Sequence, residues 1–229
     1  MRLSIIIPTY NEAATIGPLV RYLSEHGGDA LAGITVSDGG STDDTGALAA
    51  AAGAVVLQSP QKGRAAQMNH GAALAAGDVL YFVHADTFPP PTYVADIRRA
   101  LEKGYDLGRY RTRFDSRKWL LRLNAWFTRF DLFICMGGDQ TLFIRKPLFR
   151  ELGGFRSEMR IMEEYEFCTR ARARGRYTIL NDCALVSARK YDKNSWLSVQ
   201  RANYAVVQRY RNGASQEELV DEYRRRLNW

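Results

Sequence analysis

The sequence predicts one mixed α/β domain built on a mostly parallel sheet flanked by helices, and three observations predict it. Up to residue 83, short apolar runs alternate with helical stretches in βαβα order, the order that a parallel sheet with right-handed crossovers requires. Residues 3–8 (LSIIIP), Ser4 apart, and 79–83 (VLYFV) are apolar or β-branched without polar alternation, as in strands buried on both faces. The chain has 229 residues, 46% hydrophobic and 25% charged; at this length folding buries about 70% of the extended surface, enough for a core without metal or disulfide staples.

Each element follows from its residues. The first strand ends at Pro8, and Asn11 is placed to cap a helix through Ile16, Leu19, Val20 and Leu23, which Gly27-Gly28 ends. Residues 34–37 form a second strand. Asp38-Gly39-Gly40-Ser41 turns the chain, and Ser41 with Asp44 opens an Ala-rich helix over 44–52 in capping-box style. A third strand at 54–57 and a helix from Ala65 to about Ala76 lead into the fourth strand at 79–83.

Past Pro89-Pro90-Pro91 a helix runs to about Lys103. Arg109, Arg111 and Arg113 then alternate with Tyr110, Thr112 and Phe114, a period of two that predicts a strand with one basic face. Trp119, Leu120, Leu123, Trp126, Phe127, Phe130 and Phe133 recur at helical spacing, with Lys118, Arg122 and Arg129 between them. This is an amphipathic basic helix, read as core or acceptor platform ahead of membrane contact because such helices are most often packed. Strands at 142–144 and 177–180, a helix over 161–174 and two C-terminal helices complete the chain, the last opened by Ser215 and Glu218.

A formal charge of +7 favours anionic partners: nucleotides, nucleic acid or an acidic membrane surface. Cys135, Cys168 and Cys183 are odd in number and form no CxxC pair, so a reducing cytosol is expected rather than a disulfide framework or a thiolate zinc site. The opening apolar run is too short for a signal peptide and no run approaches the ~20 apolar residues of a membrane span. Neither GxGxxG after the first strand, nor GxxxxGK[ST], nor GxSxG is present, which removes the main support for dinucleotide oxidoreductases, P-loop NTPases and serine hydrolases. His26, His70 and His84 show no metal-ligand spacing.

Open α/β sheets bind ligands beyond the carboxyl ends of their strands. Tyr10-Asn11-Glu12 follows the first strand, Asp38 the second and His84-Ala85-Asp86 the fourth. Singly, Asp38 is as readily a turn former and Asp86 a loop residue or helix cap. Their joint placement carries the functional reading.

Residues 4–12 (SIIIPTYNE), 36–45 (VSDGGSTDDT) and Lys62-Gly63-Arg64 with Asn69 and Gly71 resemble, in order and spacing, the donor half of glycosyltransferase family 2, inverting enzymes of the GT-A (Rossmann-like) fold. Gly138-Asp139-Gln140 through Phe143, Gly153-Gly154-Phe155, and Met162-Glu163-Glu164 with Phe167 and Arg170 resemble a small, soluble bacterial subgroup of that family. The resemblance covers residues 1 to about 190.

The resemblance implies transfer of a sugar, with inversion, from a nucleotide-diphosphate sugar to an acceptor hydroxyl, UDP being preferred over GDP. Residues 1–106 would hold the donor, 107–195 the acceptor and base, and 196–229 the C-terminal helices of the same domain. Asp38 would accept a hydrogen bond from the nucleobase, because an ionised carboxylate is acceptor-only. Pro8, Tyr10 and Glu12 would line base and ribose, with Arg64 near the diphosphate and His84 near a phosphate.

The family's DxD motif stands here as His84-Ala85-Asp86, so Asp86 is expected to hold Mg²⁺ or Mn²⁺, with diphosphate and water completing the shell. The expected base is Glu164, where most relatives have Asp, with Glu163 or Glu166 as substitutes. Gly138, Asp139 and Gln140 would meet the acceptor, whether small molecule, glycan or lipid carrier. Nucleic acid is not expected as a partner. The enzyme would be cytoplasmic, with residues 117–134 as the place of any peripheral contact at the inner face of the membrane.

Rival readings stand beside this one. A nucleotidyltransferase of related architecture normally has a glycine-rich basic loop that residues 8–16 lack. A nucleic-acid- or membrane-binding module would use residues 98–129, and a degenerate transferase would bind donor without turning it over. Without the upstream motifs, Glu163, Glu164 and Glu166 read as a solvated acidic turn paired with Arg170, Arg172 and Arg174.

Overall fold

The computed structural model describes residues 1–133 and 140–227. Its first part is the expected βαβα series: β1 (Leu3–Thr9), α1 (Ala13–Gly27), β2 (Leu31–Asp38), α2 (Thr45–Ala51), β3 (Val55–Gln58), α3 (Arg64–Leu74) and β4 (Val79–Phe82). There follow β5 (Thr87–Phe88), α4 (Tyr93–Glu102), β6 (Leu107–Phe114), α5 (Trp119–Phe127), β7 (Leu142–Arg145), α6 (Lys146–Glu151) and α7 (Glu163–Arg172). β8 (Tyr177–Val186), α8 (Lys190–Lys193), α9 (Trp196–Arg211) and α10 (Gln216–Arg226) complete the described chain.

The described strands form one sheet in the order β3-β2-β1-β4-β7-β6-β8-β5. β3, β2, β1 and β4 pair in parallel, and so do β6 and β8. β7 runs antiparallel to both β4 and β6, and the short β5 antiparallel to β8. The ends of β1, β2 and β4 therefore open on one edge, where the polar loops gather.

β1 shows why the sheet has helices on both faces. Successive strand residues point to opposite sides: Leu3, Ile5 and Ile7 pack with Ile16, Leu19, Val20 and Leu23 of α1 and with Ile97 of α4. Ile6 packs the other way, with Ala65, Met68 and Ala72 of α3. All four β1 side chains are fully buried, each contributing about 1.5–3 kcal/mol. α3 lies so close that a Cβ on Gly71 would stand 2.6 Å from Cγ2 of Ile6. A third core joins Leu121, Met159 and Met162 to α9 and α10, and Ser215 with Glu218 makes the expected capping box.

Local expectations are corrected at four places. Asn11 does not cap α1; Glu12 holds the N-cap position, and Asn11, at φ 54, accepts a hydrogen bond from the Thr42 amide at 2.8 Å. Ser41 does not cap α2 either, since its hydroxyl donates to Asp38 and accepts from the Asn11 amide. The two loops satisfy each other, which is why neither side chain serves its own helix. The basic face of β6 is exposed only at its outer end, Arg113, because Arg109 is 3% exposed. On α5 only Leu121 is buried; Trp119, Leu123, Trp126, Phe127 and the following Phe130 and Leu132 are exposed, so most of this stripe is not core, although its last member, Phe133, packs against the third core. Among the described residues no helix is long and apolar enough to cross a membrane.

Candidate active site

The floor of the site is the end of β2. Asp38, 1% exposed, accepts hydrogen bonds from the Thr9 hydroxyl at 3.1 Å, the Ser41 hydroxyl, the Gly40 and Ser41 amides at 3.0 and 2.8 Å, and Gln58 Nε2 at 3.2 Å. Burial pushes its carboxyl up, but these donors outweigh burial and hold it below the ordinary carboxylate range. Gln67 of α3 stitches the neighbouring strand ends together, its Nε2 donating to the carbonyls of Thr9 and Ser37 at 2.6 and 2.9 Å. Of the expected donor contacts, Pro8 is buried within β1, whereas Tyr10 is exposed with Lys62 Nζ 5.9 Å from its ring centre.

α7 opens at Met162, held at φ 68, and places Glu163, Glu164 and Glu166 in its first turn, where carboxylates interact favourably with the helix dipole. All three are buried, so this is not a solvated acidic turn. Glu164 Oε1 meets His84 Nε2 at 2.8 Å. Arg64 sends Nε to within 3.4 Å of Glu163 and Nη1 to within 3.9 Å of Glu164 Oε2. Burial pushes the Glu164 carboxyl above its ordinary value, and His84 and Arg64 oppose the shift without cancelling it.

Glu166 is committed elsewhere. It accepts from Arg170 at 2.6 and 2.8 Å and pairs with Arg156 at 3.0 Å, which removes it as a substitute base. Arg172 and Arg174 pair with Asp131 and Glu151 instead of the α7 carboxylates.

The third carboxylate group gathers on one guanidinium. Arg189, just past β8, donates to both oxygens of Glu12, through Nη1 at 2.7 Å and Nη2 at 2.5 Å. The same Nη2 stands 3.1 Å from Asp86 Oδ2. The ends of β1 and β4 are thus joined through a cation carried by the far side of the sheet. Gly138 and Asp139 lie outside the described residues; Gln140 lines a small cavity together with Glu164, Arg109 and Tyr177.

The model of glycosyl transferase family 2 matches residues 4–157 of this chain. The chain belongs to that family. Among proteins similar to it, the glucosyl-3-phosphoglycerate synthase of Mycolicibacterium smegmatis is 33% identical over 100 residues, 40% of this chain and 33% of that protein. The uncharacterized protein MT1568 of Mycobacterium tuberculosis is 27% identical over 195 residues, 73% of this chain and 61% of that one. The matches therefore span less than two thirds of either relative.

Solved structures share the fold at low identity. The Pyrobaculum calidifontis mannosyltransferase PcManGT, in complex with GDP-Man and Mn²⁺, superposes with TM-score 0.69 at 19% identity, covering 96% of this chain and 68% of that one. S. aureus TarS 1-349 with UDP-GlcNAc gives 0.69 at 16%, covering 97% and 70%. The Mycobacterium tuberculosis glucosyl-3-phosphoglycerate synthase with Mn²⁺, UDP and glucosyl-3-phosphoglycerate gives 0.61 at 18%, covering 99% and 80%.

In this family 2 chain the structure adds three residues that sequence reasoning missed. Arg189 lies three residues past a strand end, where the rule that gathered Asp38 and Asp86 applies equally. Gln67 is a polar residue on an otherwise Ala-rich buried face, a signal that it bonds to backbone. Arg109 carries no such signal, since alternation alone does not tell which end of a strand is covered.

Proposed function

We propose that the chain is an inverting glycosyltransferase that moves a sugar from a nucleotide-diphosphate sugar, UDP ahead of GDP, to an acceptor hydroxyl. The observation that carries the proposal is Glu164: a buried carboxylate, raised in pKa, gripped by His84 from the β4 end and facing the cavity on its other side. A base whose pKa is raised toward the working pH is suited to take a proton from a hydroxyl during attack. Glu164 accepts that proton as the acceptor oxygen attacks the anomeric carbon; the bond from that carbon to the diphosphate breaks on the opposite face, and the nucleotide leaves as its diphosphate. Glu163 holds Arg64 in place, and Arg64 supplies positive charge beside the leaving group.

The donor lies over residues 1–106, with Tyr10 and Glu12 at base and ribose and Pro8 fixing their strand. A nucleobase N–H that reaches Asp38 displaces the Thr9 or Ser41 hydroxyl now bonded there. Residues 107–195 supply base and acceptor surface, with Gly138, Asp139 and Gln140 at the acceptor, and residues 196–229 brace them. The donor preference draws support from the UDP and UDP-GlcNAc complexes of two structural neighbours against the GDP-Man complex of a third.

Among the described residues no group of three or more His, Cys, Asp or Glu side chains gathers as a metal site; two carboxylates, Asp86 and Glu12, converge on one nitrogen of Arg189, and they would suit a hard divalent cation whose shell diphosphate and water complete. Asp86 would hold Mg²⁺ or Mn²⁺ there, with Glu12 in reach, and the ion would neutralise charge on the departing diphosphate. The Mn²⁺ complexes of two neighbours support the same choice.

The exposed aromatic residues of α5 beside Arg113, Arg117, Lys118, Arg122 and Arg129 suit an anionic interface, with rings at headgroup depth and basic side chains on lipid phosphates. The enzyme would thus work in the cytoplasm, docking at the inner membrane face. Co-sedimentation with anionic but not zwitterionic vesicles, lost in Trp126→Glu, is expected; equal sedimentation of both proteins would refute it.

The central test is a thermal-shift panel of UDP- and GDP-sugars with and without Mn²⁺, followed by donor turnover. Metal-dependent stabilisation by one nucleotide class, abolished in Asp86→Ala, is expected. Glu164→Gln should keep donor binding and lose about a hundredfold or more in turnover. Unchanged turnover would remove Glu164 as the base.

A further inference from the structure

We infer that the cavity beside Glu164 receives the anionic group, carboxylate or phosphate, of a small acceptor, so that the acceptor is a hydroxy acid or a phosphorylated alcohol. The inference rests on the transferase reading above and names its acceptor class.

Arg109 carries it. The side chain lies at the covered end of β6 and lines the cavity with Gln140, Glu164 and Tyr177. It is 3% exposed. Nη1 and Nη2 donate to the carbonyls of Tyr110 and Phe130 at 3.2 and 3.4 Å, but buried Nε has no hydrogen-bond partner among the described residues. No described carboxylate lies within ion-pair distance of Arg109, whereas Arg172 and Arg174 on the nearby α7 segment each have one. Taking a guanidinium out of water without a counter-charge is strongly unfavourable. A ligand that brings the missing negative charge resolves the arrangement; a neutral sugar does not.

Two further atoms point the same way. The buried Tyr177 hydroxyl stands beside Arg109, which lowers its pKa against the larger upward push of burial, Glu164 Oε2 has only the 3.9 Å ion pair with Arg64, and both residues line the same cavity. A cationic donor, a neutral donor and the proposed base thus surround one small space. Its volume of about 20 Å³ is room for little more than a water, so the body of an acceptor stays outside and a terminal anionic group enters only as lining side chains shift to admit it. An anion held by Arg109 and Tyr177 leaves Glu164 for a hydroxyl a few bonds away. Arg109 is the one cation among the described lining residues, and guanidinium geometry matches carboxylate and phosphate alike.

Titration calorimetry with glycerol, glycerate and glycerol 3-phosphate tests this, because the three share a carbon skeleton and differ in charge. At least one anion should bind about tenfold or more tightly than glycerol, and which one does so distinguishes carboxylate from phosphate. Arg109→Met should abolish the preference and Arg109→Lys restore part of it, while stabilisation by nucleotide stays as in wild type. Tyr177→Phe, nearly isosteric, should weaken anion binding several-fold and provides the test if Arg109→Met fails to fold. Equal binding of all three probes, or wild-type anion binding by the Arg109 and Tyr177 variants, would overturn the inference. Arg109-dependent anion binding in a protein that turns over no nucleotide sugar would retain the anion site and overturn the transferase reading instead.

Discussion

Replacing His84 with Phe removes the contact that opposes the effect of burial on the titration of the proposed base. The ring volume is kept, but Glu164 Oε1 loses its 2.8 Å hydrogen bond. His84 favours the ionised carboxylate, both by its charge and by that hydrogen bond, and so works against the upward push of burial. Its removal raises the Glu164 pKa further. A hydrogen bond to a charged group contributes about 1.5–3 kcal/mol, and the ionised carboxylate loses that support. Because the deprotonated form is the active base, the acid limb of the kcat/KM profile for donor turnover should move to higher pH. Activity near neutral pH falls, and the alkaline plateau is largely kept. Donor affinity, followed by thermal shift, should change little. A limb that stays in place while donor affinity collapses would refute the argument and make His84 a donor contact, as the sequence alone suggested.

Three other perturbations bear on the same site. Glu164→Gln should melt above wild type at pH 8, with the difference closing as pH falls toward the ordinary glutamate value: the raised pKa means that the folded state favours the protonated form, and ionisation above that value costs stability. A constant difference across pH, measured by thermal melts, would contradict this. Asp38→Asn places an amide against donors that now bond a carboxylate, a loss of about 2–4 kcal/mol; at about 2–4 °C per kcal/mol for a chain of this size, the Tm should drop by roughly 5–15 °C at pH 7. Since the Asp38 pKa is lowered, its stabilisation is present above the ordinary aspartate value and lost as pH falls through the folded one, so the gap between the two proteins should narrow in acid. Arg189→Ala removes the guanidinium shared by Glu12 and Asp86, and calorimetry with Mn²⁺ alone should show affinity at least several-fold higher than in wild type, because two carboxylates lose their internal cation; unchanged affinity would mean that the ion does not use this point.

The fold was legible because the signals that specify it are local. An apolar run such as residues 3–8 can satisfy its surroundings only between two layers, and the structure indeed sends Ile6 one way and Ile5 and Ile7 the other. Motif residues at strand ends were legible for the same reason: chain order fixes which loops share an edge. What local pattern does not report is which polar group a side chain finds across space. Asn11 and Ser41 carry good capping chemistry, yet each is taken by the neighbouring loop. Glu163, Glu164 and Glu166 are near-identical in sequence terms, and only packing separates a brace on Arg156 and Arg170 from a carboxylate on His84. α5 misled in the opposite direction, because helical periodicity reports that a stripe exists and not whether the protein covers it.

The arginines show the same limit in its sharpest form. In the sequence Arg64, Arg109 and Arg189 are three of many basic residues in a chain of charge +7, and net charge suggests only an anionic partner. In the structure each has a different electrostatic state: Arg64 shared between two buried glutamates, Arg189 balanced by two carboxylates at the sheet edge, and Arg109 buried beside a cavity, bonded to two backbone carbonyls and next to Tyr177, with no ion pair to a described carboxylate. A ligand adds most where charge is least compensated. By that measure, the inner end of the site has the greater need of an anion, and the donor edge, where cation and carboxylates already cancel, exchanges partners when nucleotide and metal arrive. The proposed donor and acceptor halves are therefore expected to respond differently to salt: at the proposed donor edge binding would begin by breaking existing ion pairs, whereas an anion entering beside Arg109 would meet a cation without an ion pair among the described residues, shielded from screening by burial.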